Sequence, residues 1–356
     1  MSGRDAFNTL APEIAIKVNG ADLPTPAASD LIAAEVLDDV DAPGMFTLTF
    51  AAWDTAQMKP KWIDDSLFAV GGTVEVGVGY RDQVATLMKG EITGLEPDFP
   101  QDGPPTVTVR GHDLRHRLMR ARRTRSYTQC KDSDIASRIA SDCGLNPTVS
   151  DSGPTLPYVL QHNQTDLEFL AERARRIHFE LQVQGTDLLF RPRQTEGSAD
   201  LTLHREIELL SWRARLSSLG QVSSYEVRGW DPAQKKEIVG RAGLGDESRQ
   251  MDGKSTGPAA SDQAFHAAPS ARVNAPVQGQ DEADAMARHG FAEMALRYIT
   301  SEAECIGDPR LRAGMLVRIE GVGERFGGLY YIVSVEHRFG APRGFRSFFT
   351  ARRNAS

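Results

Sequence analysis

Ala303-Glu304-Cys305-Ile306-Gly307-Asp308-Pro309-Arg310-Leu311 leads into Gly314-Met315-Leu316-Val317-Arg318-Ile319-Glu320-Gly321-Val322-Gly323. Phe326-Gly327-Gly328-Leu329-Tyr330-Tyr331-Ile332-Val333-Ser334-Val335-Glu336-His337-Arg338-Phe339 follows, and then Gly344-Phe345-Arg346-Ser347-Phe348-Phe349-Thr350. Apolar and polar residues alternate within each stretch, and Gly-, Asp- and Pro-bearing turns separate them. Side chains of a strand point to opposite faces in turn, so this pattern predicts short antiparallel strands of a barrel or sandwich.

Working outward, residues 13 to about 115 repeat the pattern. Strands are expected at 13–18, 31–40, 45–53, 73–80, 83–95 and 106–111. Asn19-Gly20, Ala42-Pro43-Gly44, Gly71-Gly72 and Gln101-Asp102-Gly103-Pro104-Pro105 punctuate them. Val74, Val76, Val78 and Tyr80 share one face, and Thr73, Glu75, Gly77 and Gly79 the other. One dry and one wet face is what a small barrel needs.

The middle of the chain differs. Ile135, Ile139 and Cys143 recur every four residues between polar cap candidates at 131–134 and Gly144, which predicts a short helix. Thr165 and Glu168 stand at capping-box spacing and open a second helix. Leu167, Leu170, Ala174 and Ile177 form its apolar stripe, with Glu172, Arg173, Arg175 and Arg176 mostly on the wet side. A hairpin over 178–191 completes a small α/β insert. From about 206, strands are expected at 206–215, 221–230 and 235–239. Residues 241–280 carry few large apolar side chains and read as a long mobile or partner-ordered loop. A helix over 281–298 opens with acids at its positive end, and Met286, Gly290, Met294 and Tyr298 follow at spacing four.

The fold class expected is therefore mainly β with an α+β insert. Two similar antiparallel β-barrel domains (1–115 and 206–356) would bracket a small α/β domain (116–205). A chain of 356 residues has room for two or three domains. A net charge of −7 lacks the basic excess of a nucleic-acid binder. Met1 to Asn8 shows no signal-peptide core, and no apolar run approaches the roughly 20 residues needed to cross a bilayer. Cys130, Cys143 and Cys305 are widely spaced and read as buried free thiols of a protein made in the cytoplasm.

Few residues suggest chemistry. His112 and His116 stand at i and i+4 with Asp113 after the first, as in a helical zinc site. Asp is one methylene shorter than the Glu such peptidases use, and the pair follows a strand. A strand-to-helix turn is the expectation, and a metal-dependent hydrolase using His112 and His116 the alternative. Phosphate-binding, dinucleotide-binding and serine-nucleophile motifs do not occur. Arg115, Arg117, Arg120, Arg122, Arg123 and Arg125 form a basic run, read as a solvated helix face or linker rather than as a site for nucleic acid or an acidic surface. Trp53, Trp62, Trp212 and Trp230 read as core or interface. No catalytic, cofactor or metal residue is assigned.

The order G-D-P-x-L-x-x-G, strand, G-V-G, strand ending V-x-H-x-F, strand resembles the closing barrel of contractile-tail hub proteins. These are the phage late control D family and the hub portion of VgrG-type spikes. Residues 163–190, N-Q-T-D-L-E-F-L-A-E-R-A-R-R-I-H-F-E-L-Q-V-Q-G-T-D-L-L-F, are similar to the helix and hairpin of the same family. The resemblance implies a structural baseplate hub of a contractile phage tail or injection particle. It would be a homotrimer with pseudo-sixfold symmetry, joining a central spike protein to the inner tube protein and meeting other baseplate proteins. It implies no cofactor, no nucleic-acid or small-molecule ligand, no membrane insertion, and a tube-docking role for the first barrel. Because the sequence stops after the last barrel strand, the spike is expected to be a separate protein, as in the late control D type. A carbohydrate-binding tail-tip module is the remaining alternative.

Overall fold

The alternating stretches become strands, and most of them join one sheet. The computed structural model describes residues 11–80, 83–231, 234–266, 268–273, 277 and 279–356. The first third of the chain supplies β1 (Pro12–Val18), β2 (Leu31–Asp39), β3 (Met45–Ala51), β4 (Thr73–Tyr80), β5 (Gln83–Asp98) and β6 (Thr106–Asp113). They pair in the order β1-β4-β5-β6-β3-β2, antiparallel throughout. Burial alternates along β3 as the sequence does, and Phe46, Leu48 and Phe50 are fully buried with Ile16, Val36, Val76 and Val109. Each of those three side chains contributes about 1.5–3 kcal/mol by leaving water.

The middle segment builds its own core from β7 (Arg122–Cys130), α1 (Asp132–Asp142), β8 (Asn146–Val149), β9 (Leu156–Thr165), α2 (Asp166–Arg176), β10 (Phe179–Gln184) and β11 (Asp187–Pro192). The capping box forms as expected: the Glu168 amide donates to Thr165 Oγ1 at 3.1 Å, and the Thr165 amide donates to Glu168 Oε2 at 2.9 Å. Arg173 corrects the wet-side expectation. Its side chain is buried and donates to both oxygens of Asp132, at 2.6 and 3.0 Å. Docking against the first turn of α1 brings that carboxylate to it, and a helix N-terminus favours an acid there.

Six more strands close the chain: β12 (Leu201–His204), β13 (Leu209–Leu216), and, after an excursion, β17 (Ile299–Ile306), β18 (Leu316–Glu320), β19 (Gly328–Gly340) and β20 (Gly344–Arg353). The excursion contains β14 (Ser224–Asp231), β15 (Lys236–Gly243), α3 (Gly257–Phe265), β16 (Pro269–Arg272) and α4 (Gln280–Ala295). The second set pairs in the order β12-β18-β19-β20-β17-β13. Numbered within each set by chain order, both sets run 1-4-5-6-3-2. They depart from one another at the outer pair, where β12 runs parallel to β18 while β1 runs antiparallel to β4. Residues 334–340 of β19 also pair with β2, from Ser334 opposite Asp39 to Gly340 opposite Ala33. The two sets, with the short strand Ala21–Asp22, are therefore one thirteen-stranded sheet.

The reading of 241–280 as a long loop is corrected. β15 runs to Gly243, and α3 and β16 lie inside the interval. Met251 and Val277 are buried in apolar clusters, and polar clamping fixes the backbone around Met251. The buried Asn354 accepts from the Met251 amide at 2.9 Å and donates to the Ser248 and Arg249 carbonyls at 3.1 Å, while Arg353 Nε donates to the Met251 carbonyl at 2.9 Å. The parts of that reading at 267, 274–276 and 278, like residues 1–10 of the first barrel, lie outside the described residues. The helix expected at 281–298 ends at Ala295, and its buried face carries Ala283, Met286, Ala287 and Phe291. Gly240 of β15 lies so close to the Ala283 backbone that a β-carbon would collide with it. Among the described residues no helix is long and apolar enough to cross a membrane.

Candidate functional site

The two histidines do not share a helix face. His112 lies on β6, its Nδ1 2.9 Å from Thr93 Oγ1. His116 lies in the 3-10 turn Leu114–Met119, its Nε2 2.7 Å from Glu91 Oε2. Arg117 pairs with the same carboxylate and, with His116, holds the Glu91 carboxyl below its ordinary range. Among the described residues, no group of three or more His, Cys, Asp and Glu side chains is placed to hold a metal ion.

The basic run is neither a solvated helix face nor a free cationic surface. It follows the 3-10 turn into β7, and most of its charges meet acids of the same chain. Arg115 is buried, with Nε and Nη2 at 2.8 and 2.7 Å from Asp113 Oδ2 and Nη1 donating to the Asp39 carbonyl at 2.9 Å. Asp113 also accepts from the Gly44 amide at 2.7 Å, so one ion pair fixes the meeting of β2, β3 and β6. Arg122 meets Glu168 at 2.9 Å, Arg123 meets Asp166 at 3.2 Å, and Arg125 pairs with Asp166. These contacts tie β7 to the first turn of α2 at the surface of the middle core.

The sheet ends in exposed strand edges. β13 forms a ladder with β17 and no other described strand. Its inner residues Trp212, Ala214 and Leu216 pack on the second core, while Ser211, Arg213 and Arg215 face out and Leu210 is 49% exposed. At the opposite end, the outer side of β1 carries only Ala21–Asp22. A sheet edge presents unpaired N–H and C=O groups, a template for another chain. Trp212 meets Phe326 and Tyr330 edge-on at 6.1 and 6.3 Å, and Trp62 Nε1 donates to Asp30 at 2.8 Å. Trp230 on β14 is 59% exposed. Cys305 is buried and burial pushes its thiol pKa up; Cys130 and Cys143 are half-buried, and all three are free.

A family model described as the Alg8 N-terminal domain matches residues 8–340. The chain belongs to that family. The description names a region and no activity. No curated protein matches the chain. Among solved structures, a 43 kDa tail protein of prophage MuSo2 from Shewanella oneidensis is similar at a TM-score of 0.74 and 17% identity, over 96% of this chain and 98% of that one. A tail protein from Neisseria meningitidis MC58 gives 0.69 and 13%, over 96% of each chain. The E. coli c3393 protein gives 0.60 and 14%, over 96% of this chain and 77% of that one. That protein is described as a component of the type VI secretion system, structurally similar to the T4 bacteriophage tail proteins gp27 and gp5. At these identities the likeness is one of fold, and it is the mainly β tail-protein fold that the sequence resemblance implied. Sequence reasoning missed the edge at β13 and a basic cleft beside α4. Neither has a local signal, since both depend on which elements become neighbours.

Proposed function

We propose that this chain is a structural, non-catalytic baseplate hub of a contractile tail or tail-like injection particle, of the late control D type. The observation that carries the reading is the repeated strand order 1-4-5-6-3-2 within one chain. Three copies of such a chain present six related strand sets. A ring of that kind matches a threefold spike on one side and a sixfold inner tube on the other. Residues 1–115 would be the tube-docking module, 116–205 an insert, and 206–356 the second module. The partners are two further copies, the inner tube protein, the central spike protein and other baseplate proteins. The chain is made in the cytoplasm and incorporated into the particle. Fold likeness to phage tail proteins supports the reading.

Head-to-tail pairing of the β13 edge of one copy with the β1 edge of the next closes a ring after three steps in this proposal. Native mass measurement tests it: the expected species is three times 39.0 kDa. The double variant Leu210→Glu/Arg213→Glu, both at exposed positions, is expected to run as a folded 39.0 kDa monomer. A wild-type chain that stays monomeric at micromolar concentration and binds neither tube nor spike protein would overturn the reading.

A further inference from the structure

A cleft of about 430 Å³ opens between the middle core and α4. Five arginines and two carboxylates line it, and with Arg176 paired to Glu172 at 2.8 Å outside the lining, an excess of two positive charges remains in a chain whose net charge is −7. Arg193 forms the floor, its side chain 6% exposed. Nη1 donates to Glu293 at 2.7 Å and Nη2 lies 3.6 Å from Asp41, while the buried Nε has no partner. His178 stands beside it, its carbonyl accepting from the Arg193 amide at 2.9 Å and its own buried Nε2 unpartnered. Its ring stacks on His289 at 5.5 Å and an interplanar angle of 4°. A buried polar atom without a partner destabilises the fold unless something bound there answers it.

The rim and walls narrow the ligand's chemistry. Arg175, Arg272 and Arg297 are exposed at the rim and form no ion pair among the described residues. Glu293 already faces Arg193 and, at 3.5 Å, Arg352. Tyr225, Met286, Met294 and Phe179 make the walls apolar, and methionines adapt their shape to what they cover. An inorganic anion would fill little of this volume and leave the apolar walls without contact. We infer that the cleft binds an acidic peptide segment of another protein, with carboxylates on the arginines and one apolar side chain between Tyr225 and the methionines. This site stands independently of the hub reading, because no residue of the β1 or β13 edge lines it.

The test uses the full chain and a fluorescein-labelled, terminally blocked peptide of sequence DEFDEL, followed by anisotropy. Binding is expected with a dissociation constant on the order of 10–100 μM at low salt, weakening as ionic strength rises. The counterpart KKFKKL is expected not to bind. The double variant Arg175→Glu/Arg297→Glu changes exposed residues and should keep its melting temperature while losing at least about tenfold in affinity. The single variant Met294→Lys tests the apolar wall and should also weaken binding. Equal binding of the lysine peptide, full affinity in the double variant, or displacement by equimolar inorganic phosphate overturns the inference.

Discussion

Arg173 and Asp132 show how a residue two turns into a helix can be read correctly in its helix and wrongly in its surroundings. The helical pattern places Arg173 on the flank of the Leu170 stripe, and nothing local announces that α1 supplies an acid to that flank. Both side chains are buried, 8% and 5% exposed. Arg173→Ala leaves Asp132 charged and without its main partner, so urea denaturation should show a loss of roughly 3–5 kcal/mol. Pairing it with Asp132→Asn should restore part of that loss. His337 on β19 sets a pH dependence. It is buried, with Nδ1 2.8 Å from Ser347 Oγ and Nε2 3.1 Å from the Leu311 carbonyl. Burial, with the Arg312 charge second, pushes its pKa down to about 3. The unfolded imidazole titrates near 6.5. Between those values the unfolded chain binds the extra proton, so the contribution is complete above pH 6.5 and falls on acidification. The slope is about 1.4 kcal/mol per pH unit for this residue. His289, pushed down to about 4 by burial and by His178, adds in the same direction. Asp38 works the other way, since burial raises its carboxyl pKa and its contribution is lost as pH rises. Denaturation midpoints measured from pH 7 to 5 should fall, and His337→Gln should flatten the slope while lowering the starting stability.

At the scale of elements, legibility followed periodicity. Strands with clean alternation, such as β3 and β4, and helices with a capping box or a left-handed glycine, such as α2 and α1, announce themselves within a dozen residues. The interval 241–280 has no period to read, because its order depends on distant partners, such as Asn354 and Arg353 about a hundred residues away from residues 248–251. The same reason hid the basic run: Arg122, Arg123 and Arg125 look free until β7, β9 and α2 bring Asp166 and Glu168 to them. Asn354 gives the direct test. Its side chain satisfies three backbone groups of residues 248–251. Asn354→Ala leaves the buried Met251 amide without its partner and frees the part-buried Ser248 and Arg249 carbonyls, at a cost of about 2 kcal/mol. Limited proteolysis should then cut within residues 247–257 well before the rest of the chain, with a lower melting temperature. Unchanged protection there would mean that Arg353 and the paired backbone of Lys254 and Ser356 suffice.

For the whole molecule, the sequence displays two β regions but not their union. The pairing of β19 with β2 joins residues some 300 positions apart, and register over such a distance leaves no local mark. Nor does alternation reveal strand order, so the shared 1-4-5-6-3-2 arrangement emerges once the sheet is assembled. Phe345 is the side chain that ties the sets most directly. It belongs to β20, yet it is 2% exposed within the core of the first set, 5.9 Å from the Tyr80 ring. Gly307, just after β17, has no room for a β-carbon against the Phe345 ring. A continuous sheet with a shared core residue should unfold as one cooperative unit, although chains of this length often separate into domains. Trp62 reports on the first set and Trp212 on the second. Variants retaining only one of these two tryptophans should give coincident urea transitions. Phe345→Ala should lower both midpoints together, by roughly 3–5 kcal/mol. If instead the Trp62 transition shifts and the Trp212 transition stays in place, the two sets are thermodynamically separate, and the ladder between β19 and β2 is a contact rather than a continuation of one structure.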